Sequence, residues 1–289
     1  MPELPEVETV RRGLQPVMEG RRFTSVQTRR GDLRVPFPND FAARLTGRRV
    51  VKLRRRAKYI LGDLDSGETL VIHLGMSGRM LVHTESTRKK LGNYGRHNGA
   101  IMSDADKHDH VVMETDAPAR IVFNDQRRFG LMLLVETAEL DEHKLFKGLG
   151  IEPLGDAFHA AFLTKALKGK KTPIKSALLD QRVIAGLGNI YVCEALFRAR
   201  VSPKRQAIKV RPDQIALLAP AIKSILREAL KAGGSSLRDH KRTDGEIGMF
   251  QHRFKVYDRE GEPCPACKTK IKRLVQAGRS SFYCPNCQK

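Results

Sequence analysis

The apolar residues near the start of the chain repeat with a helical period. They fall three or four positions apart, at Val7, Val10, Leu14 and Val17. This spacing is typical of one face of an amphipathic helix. Pro5 suits a first helical turn, and Gly20 ends the pattern. We therefore predict a first helix between these two residues.

The pattern changes from about Phe23 to Val135, where apolar residues come in short β-type runs. Examples are TLVIHLGMSGRMLVH and ARIVFNDQRRFGLMLLVE, and turn sequences such as DSGE and DAP separate the runs. The basic stretch at about residues 86–106 has no clear period, which predicts a long inserted loop. The runs together predict a β-sandwich with the first helix packed beside it.

From about Leu140 the spacing becomes helical again. The sequence GLGN separates two predicted helices, the second of which starts near Asn189. A later helix starts at Asp213 and has one apolar face, formed by Ile215, Leu218, Ile222, Ile225 and Ala229. We predict an α+β chain with an N-terminal β domain at residues 2–136, a helical domain at 137–262 and a cysteine-rich segment at 263–289.

The charge of the chain indicates a polyanionic partner. Lys and Arg number 53 against 32 Asp and Glu, which gives a formal net charge of +21. This excess favours nucleic acid over a membrane surface or a basic surface with no specific partner. No apolar stretch approaches the roughly 18 residues of a membrane span, and the acidic start does not resemble a signal peptide. With no export signal, we expect a protein of a reducing compartment that binds nucleic acid.

Four of the five cysteines form the pattern C-x2-C-x16-C-x2-C, at Cys264, Cys267, Cys284 and Cys287. Two such pairs can place four thiolates around one zinc ion, and four protein ligands leave no open position for catalysis. We therefore predict one structural zinc in a basic hairpin. Two redox CxxC pairs are the alternative, but they lack the expected βαβ setting. Cys193 stands alone in a helical run, which predicts a packed core thiol.

The first residues, MPELPEVETV, carry a second candidate chemistry. After removal of Met1, Pro2 has a free secondary amine, and an amine can attack an aldehyde-level carbon such as deoxyribose C1′. An α-amine has a pKa of about 7.7–8.0, and the N-terminus of the adjoining helix disfavours its ammonium form. Glu3 could exchange protons with a substrate. A plain N-terminal cap of the first helix is the alternative.

Further candidates lie on predicted turns and strand ends. HLGMSG holds His73 and Met76 between glycines, and DQRRFG holds Arg127 and Phe129. Apolar side chains on loops can act as wedges between bases, although each of these would more often be a core residue. Lys58 follows a basic run that could equally be a solvated strand face. The glycines of AGLGNIY precede a helix start that could bind phosphate or simply turn the chain.

Taken together, these motifs resemble a known family. PELPEVET, AKYI, HLGMSGRM, DQRRFG, GLGNIYVCEALF and GRSSFYCPNCQK occur in the order found in bacterial formamidopyrimidine-DNA glycosylase. The resemblance implies a bifunctional enzyme that excises 8-oxoguanine and formamidopyrimidines from duplex DNA, acts on abasic sites and cuts the strand by β,δ-elimination. It also implies a helix-two-turn-helix around GLGN, a loop at about 233–250 that closes on the flipped base, and a zinc-finger β-hairpin. A cytoplasmic monomer that associates with the nucleoid through DNA is implied as well.

The resemblance also implies roles for particular residues. Pro2 is the nucleophile, Glu3 the general acid, Lys58 a catalytic lysine near the sugar and phosphates, and Glu6 a support of the lesion site. Three residues match those that fill the gap left by the flipped nucleotide: Met76, Arg127 and Phe129. Four match phosphate contacts: His73, Lys175, Asn189 and Arg279.

Two other functions remain open at this stage. One is an endonuclease VIII-type glycosylase for oxidised pyrimidines, although Leu4 and the three gap-filling residues favour the purine-lesion enzyme. The other is a non-catalytic zinc protein that binds damaged DNA, which would need the charge and the zinc but not Pro2, Glu3 and Lys58 together. The insertion at 86–106 departs from the pattern of the family, and its role is not indicated by the sequence.

Overall fold

The computed structural model describes residues 1–84, 107–235 and 248–289. The predicted insertion at 86–106 lies outside the described residues, as do residues 236–247 of the predicted lesion loop. The chain forms two compact units. The N-terminal unit comprises Met1–Pro2, Glu6–Lys147 and Ser235–Gly248, and the C-terminal unit comprises Glu3–Pro5, Gly148–Gly234 and Met249–Lys289.

The first helix, α1, spans Leu4–Met18. The four apolar residues that predicted it are all buried, and so are Leu4 and Met18. Gly20 follows with a φ of 75°, a left-handed conformation that glycine adopts without strain. The prediction of an amphipathic first helix is therefore confirmed.

Eight described strands of the N-terminal unit form two antiparallel sheets of four strands each. The first sheet has the order β1-β6-β7-β5 and the second the order β2-β3-β4-β8. The strands are β1 Phe23–Thr28, β2 Val50–Arg56, β3 Tyr59–Leu64, β4 Glu68–His73, β5 Arg79–His83, β6 Asp109–Thr115, β7 Ala119–Asn124 and β8 Leu131–Glu136. A short helix, α2, spans Phe41–Leu45 between β1 and β2.

One hydrophobic core holds this unit together. It combines inward-facing residues of both sheets with the apolar face of α1, for example Leu14 of the helix, Ile72 of β4 and Phe123 of β7. Each of these three side chains is almost fully buried. The predicted β-sandwich with a flanking helix is confirmed, and its strand ends carry the turns that contain the candidate site residues.

The C-terminal unit is mainly helical. Its α-helices are α3 Ala160–Leu167, α4 Ile174–Leu179, α5 Asn189–Arg198 and α6 Pro212–Lys231. The predicted apolar face of α6 is buried along its whole length. The sequence GLGN leads into α5, which starts at its Asn189, as predicted.

The unit ends in a two-stranded antiparallel hairpin, β9 Lys272–Gln276 and β10 Arg279–Tyr283. A small core beneath it includes Cys193, Val256, Ile271 and Phe282. Burial raises the pKa of the Cys193 thiol to about 11, so this group stays protonated. Cys193 is therefore a packed core thiol, as predicted.

Among the helices in the described residues, none has both the length and the apolar character that crossing a membrane requires.

Candidate active site and nucleic-acid surface

The two candidate groups at the N-terminus, Pro2 and Glu3, lie behind an exposed first residue. Met1 is 46% exposed, whereas Pro2 and Glu3 are buried. With Met1 attached, the nitrogen of Pro2 is a tertiary amide whose lone pair is delocalised. Pro2 can therefore act as an amine only after removal of Met1, which is exposed.

The carboxylate of Glu3 is held by the start of α5. Its Oε1 accepts a hydrogen bond of 3.0 Å from the backbone N–H of Ile190, in the first turn of that helix. The positive end of the helix dipole favours a negative group there. A Cβ on Gly188 would lie only 2.1 Å from Cδ of Glu3. The sequence indicates GLGN as a turn or a phosphate site. It does not indicate that Gly188 leaves room for the side chain of Glu3.

Glu6 is hydrogen-bonded to the first part of the predicted lesion loop. Its Oε1 accepts hydrogen bonds from the backbone N–H of Ser235 at 2.8 Å and from the Ser235 hydroxyl at 3.0 Å. Both residues are almost fully buried. Glu6 thus fixes the point at which the chain enters residues 236–247, and its predicted support of the lesion site stays a prediction.

Lys58 lies in the tight turn between β2 and β3 and is only 6% exposed. The preceding Ala57 has a φ of 53°, a strained conformation for a residue with a side chain. Arg55 donates a hydrogen bond of 2.9 Å to the Ala57 carbonyl and lies 3.3 Å from a carboxylate oxygen of Glu8 on α1. No local pattern in the sequence indicates this Glu8–Arg55 support of the lysine turn.

Glu8 is suited to that role because it stays ionised. Burial acts to raise its pKa, but the hydrogen bond and charge of Arg11, together with Arg12 and Arg55, outweigh burial and lower it. A carboxylate paired with several guanidinium groups holds them in fixed directions.

His73, at the end of β4, is a neutral hydrogen-bond donor. Burial, with the charges of Lys58 and Arg34, lowers its pKa to about 4. Its Nδ1 accepts the backbone N–H of Gly75 at 3.0 Å, which leaves the proton on Nε2. A neutral imidazole can donate that proton to a phosphate oxygen, and the nearby cations would attract the same group.

The three predicted gap-filling residues are exposed. Met76 is 42% exposed and Phe129 is 45% exposed, which is unusual for large apolar side chains. The guanidinium carbon of Arg127 lies 4.7 Å from the centroid of the Phe129 ring, as in a cation–π pair. The more common interpretation of Met76 and Phe129 as core residues is therefore wrong.

The predicted phosphate contacts of the C-terminal unit differ among themselves. Arg279 is exposed at the start of β10. Asn189 is half-buried, and its amide donates a hydrogen bond of 2.9 Å to the Ser280 carbonyl. Lys175 is buried, and its ammonium donates to the Ser280 carbonyl at 2.8 Å and to the Ser281 hydroxyl at 2.6 Å.

In this structure Lys175 supports the β9–β10 hairpin, because its ammonium is hydrogen-bonded to two residues of β10. Burial lowers the pKa of its ammonium, and the charge of Arg279 acts in the same direction. An ammonium has three donors, and two of them are used within the protein. Its contact with a phosphate stays a prediction and would have to use the third donor.

The four cysteines of the C-terminal segment meet in one cluster. Their sulfur atoms all lie within 4.8 Å of one another, with distances of 3.9 Å between Cys264 and Cys287 and 3.4 Å between Cys267 and Cys284. A zinc tetrahedron with Zn–S bonds of about 2.3 Å has sulfur–sulfur edges of about 3.8 Å. The donor set and its spacing fit one structural zinc.

The thiols of this cluster differ in how readily they ionise. Hydrogen bonds from Thr269 and Asn286 lower the pKa of Cys267 to about 5, so it provides a thiolate at neutral pH. Burial and the neighbouring sulfurs raise the pKa of Cys287 to about 12. A bound divalent cation would reverse that repulsion, and its binding would release protons.

Comparison with known proteins covers almost the whole chain. Residues 1–132 match the formamidopyrimidine-DNA glycosylase N-terminal domain, residues 149–241 its H2TH domain, and residues 261–289 a zinc finger found in FPG and IleRS. The formamidopyrimidine-DNA glycosylases of Dinoroseobacter shibae and a Jannaschia species are 58% and 59% identical to it over the full length of both chains. The chain belongs to the formamidopyrimidine-DNA glycosylase family. The predicted resemblance is confirmed.

Solved structures of the formamidopyrimidine-DNA glycosylase family have the same fold. The MutM (Fpg) protein of Thermus thermophilus is 38% identical, with a TM-score of 0.84 over 99% of this chain and 98% of that chain. The Lactococcus lactis Fpg in complex with DNA containing an abasic site is 31% identical, with a TM-score of 0.86 over all of both chains. The predicted α+β class, the helix-two-turn-helix region and the zinc-finger hairpin are therefore confirmed.

Proposed function

We propose that this protein is a bifunctional DNA glycosylase and AP lyase of base excision repair. It excises 8-oxoguanine and formamidopyrimidine lesions from duplex DNA and then cuts the strand at the abasic site. The observation that carries the proposal is the N-terminus. A buried Pro2 precedes a Glu3 whose carboxylate is fixed by the start of α5, in a chain of this family. We expect the protein to act in the cytoplasm, on nucleoid DNA.

The chemistry starts when Met1 is removed and Pro2 becomes a secondary amine. The amine attacks C1′ of the damaged nucleotide, and the base leaves with the electrons of the glycosidic bond. Glu3 takes the proton that the amine loses and passes it to the ring oxygen. The bond between C1′ and the ring oxygen breaks, and the nitrogen and C1′ become an iminium. The iminium acidifies the C2′ hydrogen. Loss of that proton expels the 3′ phosphate, and a second elimination expels the 5′ phosphate.

The three exposed gap-filling residues support a reaction in which the damaged nucleotide is turned out of the duplex. Turning a nucleotide out of the stack costs a few kcal/mol, and side chains that enter the gap hold it open. Met76 and Phe129 provide apolar surface, and the guanidinium of Arg127 can donate hydrogen bonds to the orphaned cytosine. This cytosine contact would let the enzyme act on 8-oxoguanine opposite cytosine.

Phosphate contacts support binding and orientation. His73 and Lys58 lie in the N-terminal unit, whereas Asn189 and Arg279 lie in the C-terminal unit. Release of counterions from the neutralised phosphates drives the association, consistent with the net charge of +21. Zinc supports the hairpin that carries Arg279, and it takes no part in the reaction.

The decisive experiment asks whether the amine of Pro2 is the nucleophile. Protein with Met1 removed and protein with an uncleavable N-terminal extension are incubated with 8-oxoguanine:C duplex and borohydride. Only the processed protein should form a covalent adduct, and peptide mapping should locate the link at Pro2. Equal zinc content and melting temperature control for folding of the extended protein.

Four results would contradict the proposal. The extended protein could cut the duplex at the normal rate, or the adduct could map to Lys58. Either result would refute the nucleophile assigned here. Faster excision of thymine glycol than of 8-oxoguanine would indicate an endonuclease VIII-type enzyme instead, and binding without any cleavage would indicate a damage-binding protein.

A further inference from the structure

Asp125 connects the two turns that carry the gap-filling residues. The first turn, in HLGMSG, carries Met76, and the second, in DQRRFG, carries Arg127 and Phe129. It directly follows β7, and its side chain is fully buried. Its Oδ1 accepts a hydrogen bond of 2.5 Å from the Ser77 hydroxyl, and its Oδ2 accepts one of 2.8 Å from the backbone N–H of Gly130. Ser77 is the neighbour of Met76, and Gly130 is the neighbour of Phe129. One carboxyl group therefore bridges both turns.

Ser77 extends this connection to the third gap-filling residue. Its hydroxyl oxygen accepts a hydrogen bond of 3.0 Å from the backbone N–H of Arg127. Since that bond uses a lone pair of the hydroxyl oxygen, the hydroxyl proton is directed at Asp125. Arg127 thus donates to Ser77 and Ser77 donates to Asp125, while Gly130 donates to the other oxygen of the same, fully buried carboxyl group.

The backbones of the two turns are also in direct contact. A Cβ on Gly75 would lie 2.3 Å from the Phe129 carbonyl carbon, and one on Gly130 would lie 2.9 Å from the carbonyl oxygen of His73, directly before the first turn. Gly75 has a φ of 62° and Arg128 one of 57°. Left-handed positions and absent side chains allow an approach that side chains would prevent. The two turns therefore pack as one block, and Asp125 provides the polar bonds of that block.

Burial of a carboxyl group at this position has a free-energy cost. No described residue forms an ion pair with Asp125, and burial of a carboxylate without a cation is unfavourable unless its oxygens are hydrogen-bonded. An apolar residue could fill the space, but it would leave the Gly130 N–H and the Ser77 hydroxyl without acceptors. The two acceptor oxygens are thus the feature that an apolar residue cannot replace.

We propose that Asp125 is a positioning residue that makes Met76, Arg127 and Phe129 enter the gap as one preorganised unit. This inference rests on the proposed function. If the three side chains are aligned before DNA binds, the ordering cost is met during folding and not at the moment of base flipping. The guanidinium of Arg127 then meets the opposite base in a fixed direction. Asp125 therefore sets the discrimination among opposite bases without touching DNA.

The test uses Asp125→Asn and Ser77→Ala. Asn keeps the size of the side chain but replaces one acceptor oxygen with a donor, whereas Ser77→Ala removes the bridge to Arg127 from the other side. Asp63→Asn is the matched control, because Asp63 also accepts a hydroxyl hydrogen bond, of 2.9 Å from Thr69, but lies in β3, outside both turns. Zinc content and melting temperature are measured for all variants.

Single-turnover excision of 8-oxoguanine is compared opposite each of the four bases. Asp125→Asn and Ser77→Ala should each reduce the preference for cytosine about tenfold, as expected for the loss of one strong hydrogen bond. The double variant should lose no more than either single variant, because both break the same chain. Borohydride trapping on single-stranded abasic DNA, which has no opposite base, should stay at the wild-type level. Asp63→Asn should behave as wild type in both assays.

The outcomes separate this inference from the proposed function. If the wild-type protein neither excises nor forms the adduct, the proposed function is wrong. If the wild-type protein discriminates and both variants keep its preference for cytosine, the role of Asp125 is wrong. Equal losses in trapping and in excision opposite all four bases would also overturn it, because they indicate general damage to the fold. Should Asp125→Asn fail to fold, Ser77→Ala alone decides.

Discussion

Gly188 offers a direct test of how Glu3 is positioned. Its φ of −132° and ψ of −172° are extended values that alanine adopts without strain. The effect of Gly188→Ala must therefore come from the added methyl group. That Cβ would lie 2.1 Å from Cδ, 2.4 Å from Oε1 and 2.5 Å from Cγ of Glu3. Ordinary contacts between heavy atoms are about 3.5 Å, so the carboxyl group would have to move by more than about 1 Å.

Such a displacement has a calculable consequence. It breaks the hydrogen bond from the Ile190 N–H to Glu3, and a hydrogen bond to a charged group contributes about 1.5–3 kcal/mol. A misplacement of about 1 Å in a group that transfers a proton lowers the rate about 100-fold. We expect Gly188→Ala to slow the excision of 8-oxoguanine by about that factor, with little effect on zinc content.

The assay is single-turnover excision from an 8-oxoguanine:C duplex, with binding to duplex that holds a stable abasic analogue measured in parallel. Gly155→Ala is the matched control in the same unit, because the nearest atom to its added Cβ is the Glu152 carbonyl oxygen at an ordinary 3.5 Å. The control should keep the wild-type rate. An excision rate for Gly188→Ala within about twofold of wild type, on folded and zinc-loaded protein, would refute the reasoning.

The other predictions concern zinc, phosphate and histidine chemistry. Cys267→Ser should lose zinc, measured by atomic absorption, and DNA affinity, while the β-sandwich keeps its β-type circular dichroism; full affinity without zinc would contradict a structural role. Arg279→Ala should lower the salt slope of DNA binding by about one unit, and an unchanged slope would exclude a phosphate contact. His73 should stay neutral in an NMR titration from pH 8 to pH 5, because its pKa is about 4. That pKa lies below the unfolded value of about 6.5. The free energy of unfolding should therefore decrease as the pH is lowered from about 6.5 to about 4, and more steeply than in His73→Gln.

Several features of the protein follow from local sequence alone. The apolar period of α1 and α6 fixes which helix faces are buried, because the geometry of a helix repeats every 3.6 residues whatever packs against it. The spacing of the four cysteines determines their convergence for a similar reason. Each pair lies on one tight turn, and the residues between the pairs form a single hairpin. Identification of the family also needed only short motifs in the correct order.

The interactions that position the site were decided by the tertiary structure. Glu3 and Ile190 are 187 positions apart, and Glu6 and Ser235 are 229 positions apart. No periodicity along the chain connects such pairs, because a hydrogen bond of about 3 Å depends on the whole path of the backbone between them. The contacts of Lys175 with Ser280 and Ser281 also join distant parts of the chain. For that reason the sequence indicates Lys175 only as a phosphate contact and not as a support of the hairpin.

Asp125 and Gly188 show most clearly which roles cannot be inferred from local sequence. In the sequence, Asp125 is one polar residue in the turn NDQRRFG, and Gly188 is one of two glycines in GLGN. The sequence determined that both lie in turns, since the turn signals are local. Only packing decided that the carboxyl group of Asp125 faces inward to two turns and that the missing side chain of Gly188 leaves room for Glu3. Chemistry-bearing residues can therefore be named from the chain, whereas the residues that hold them in place become visible only when distant segments meet.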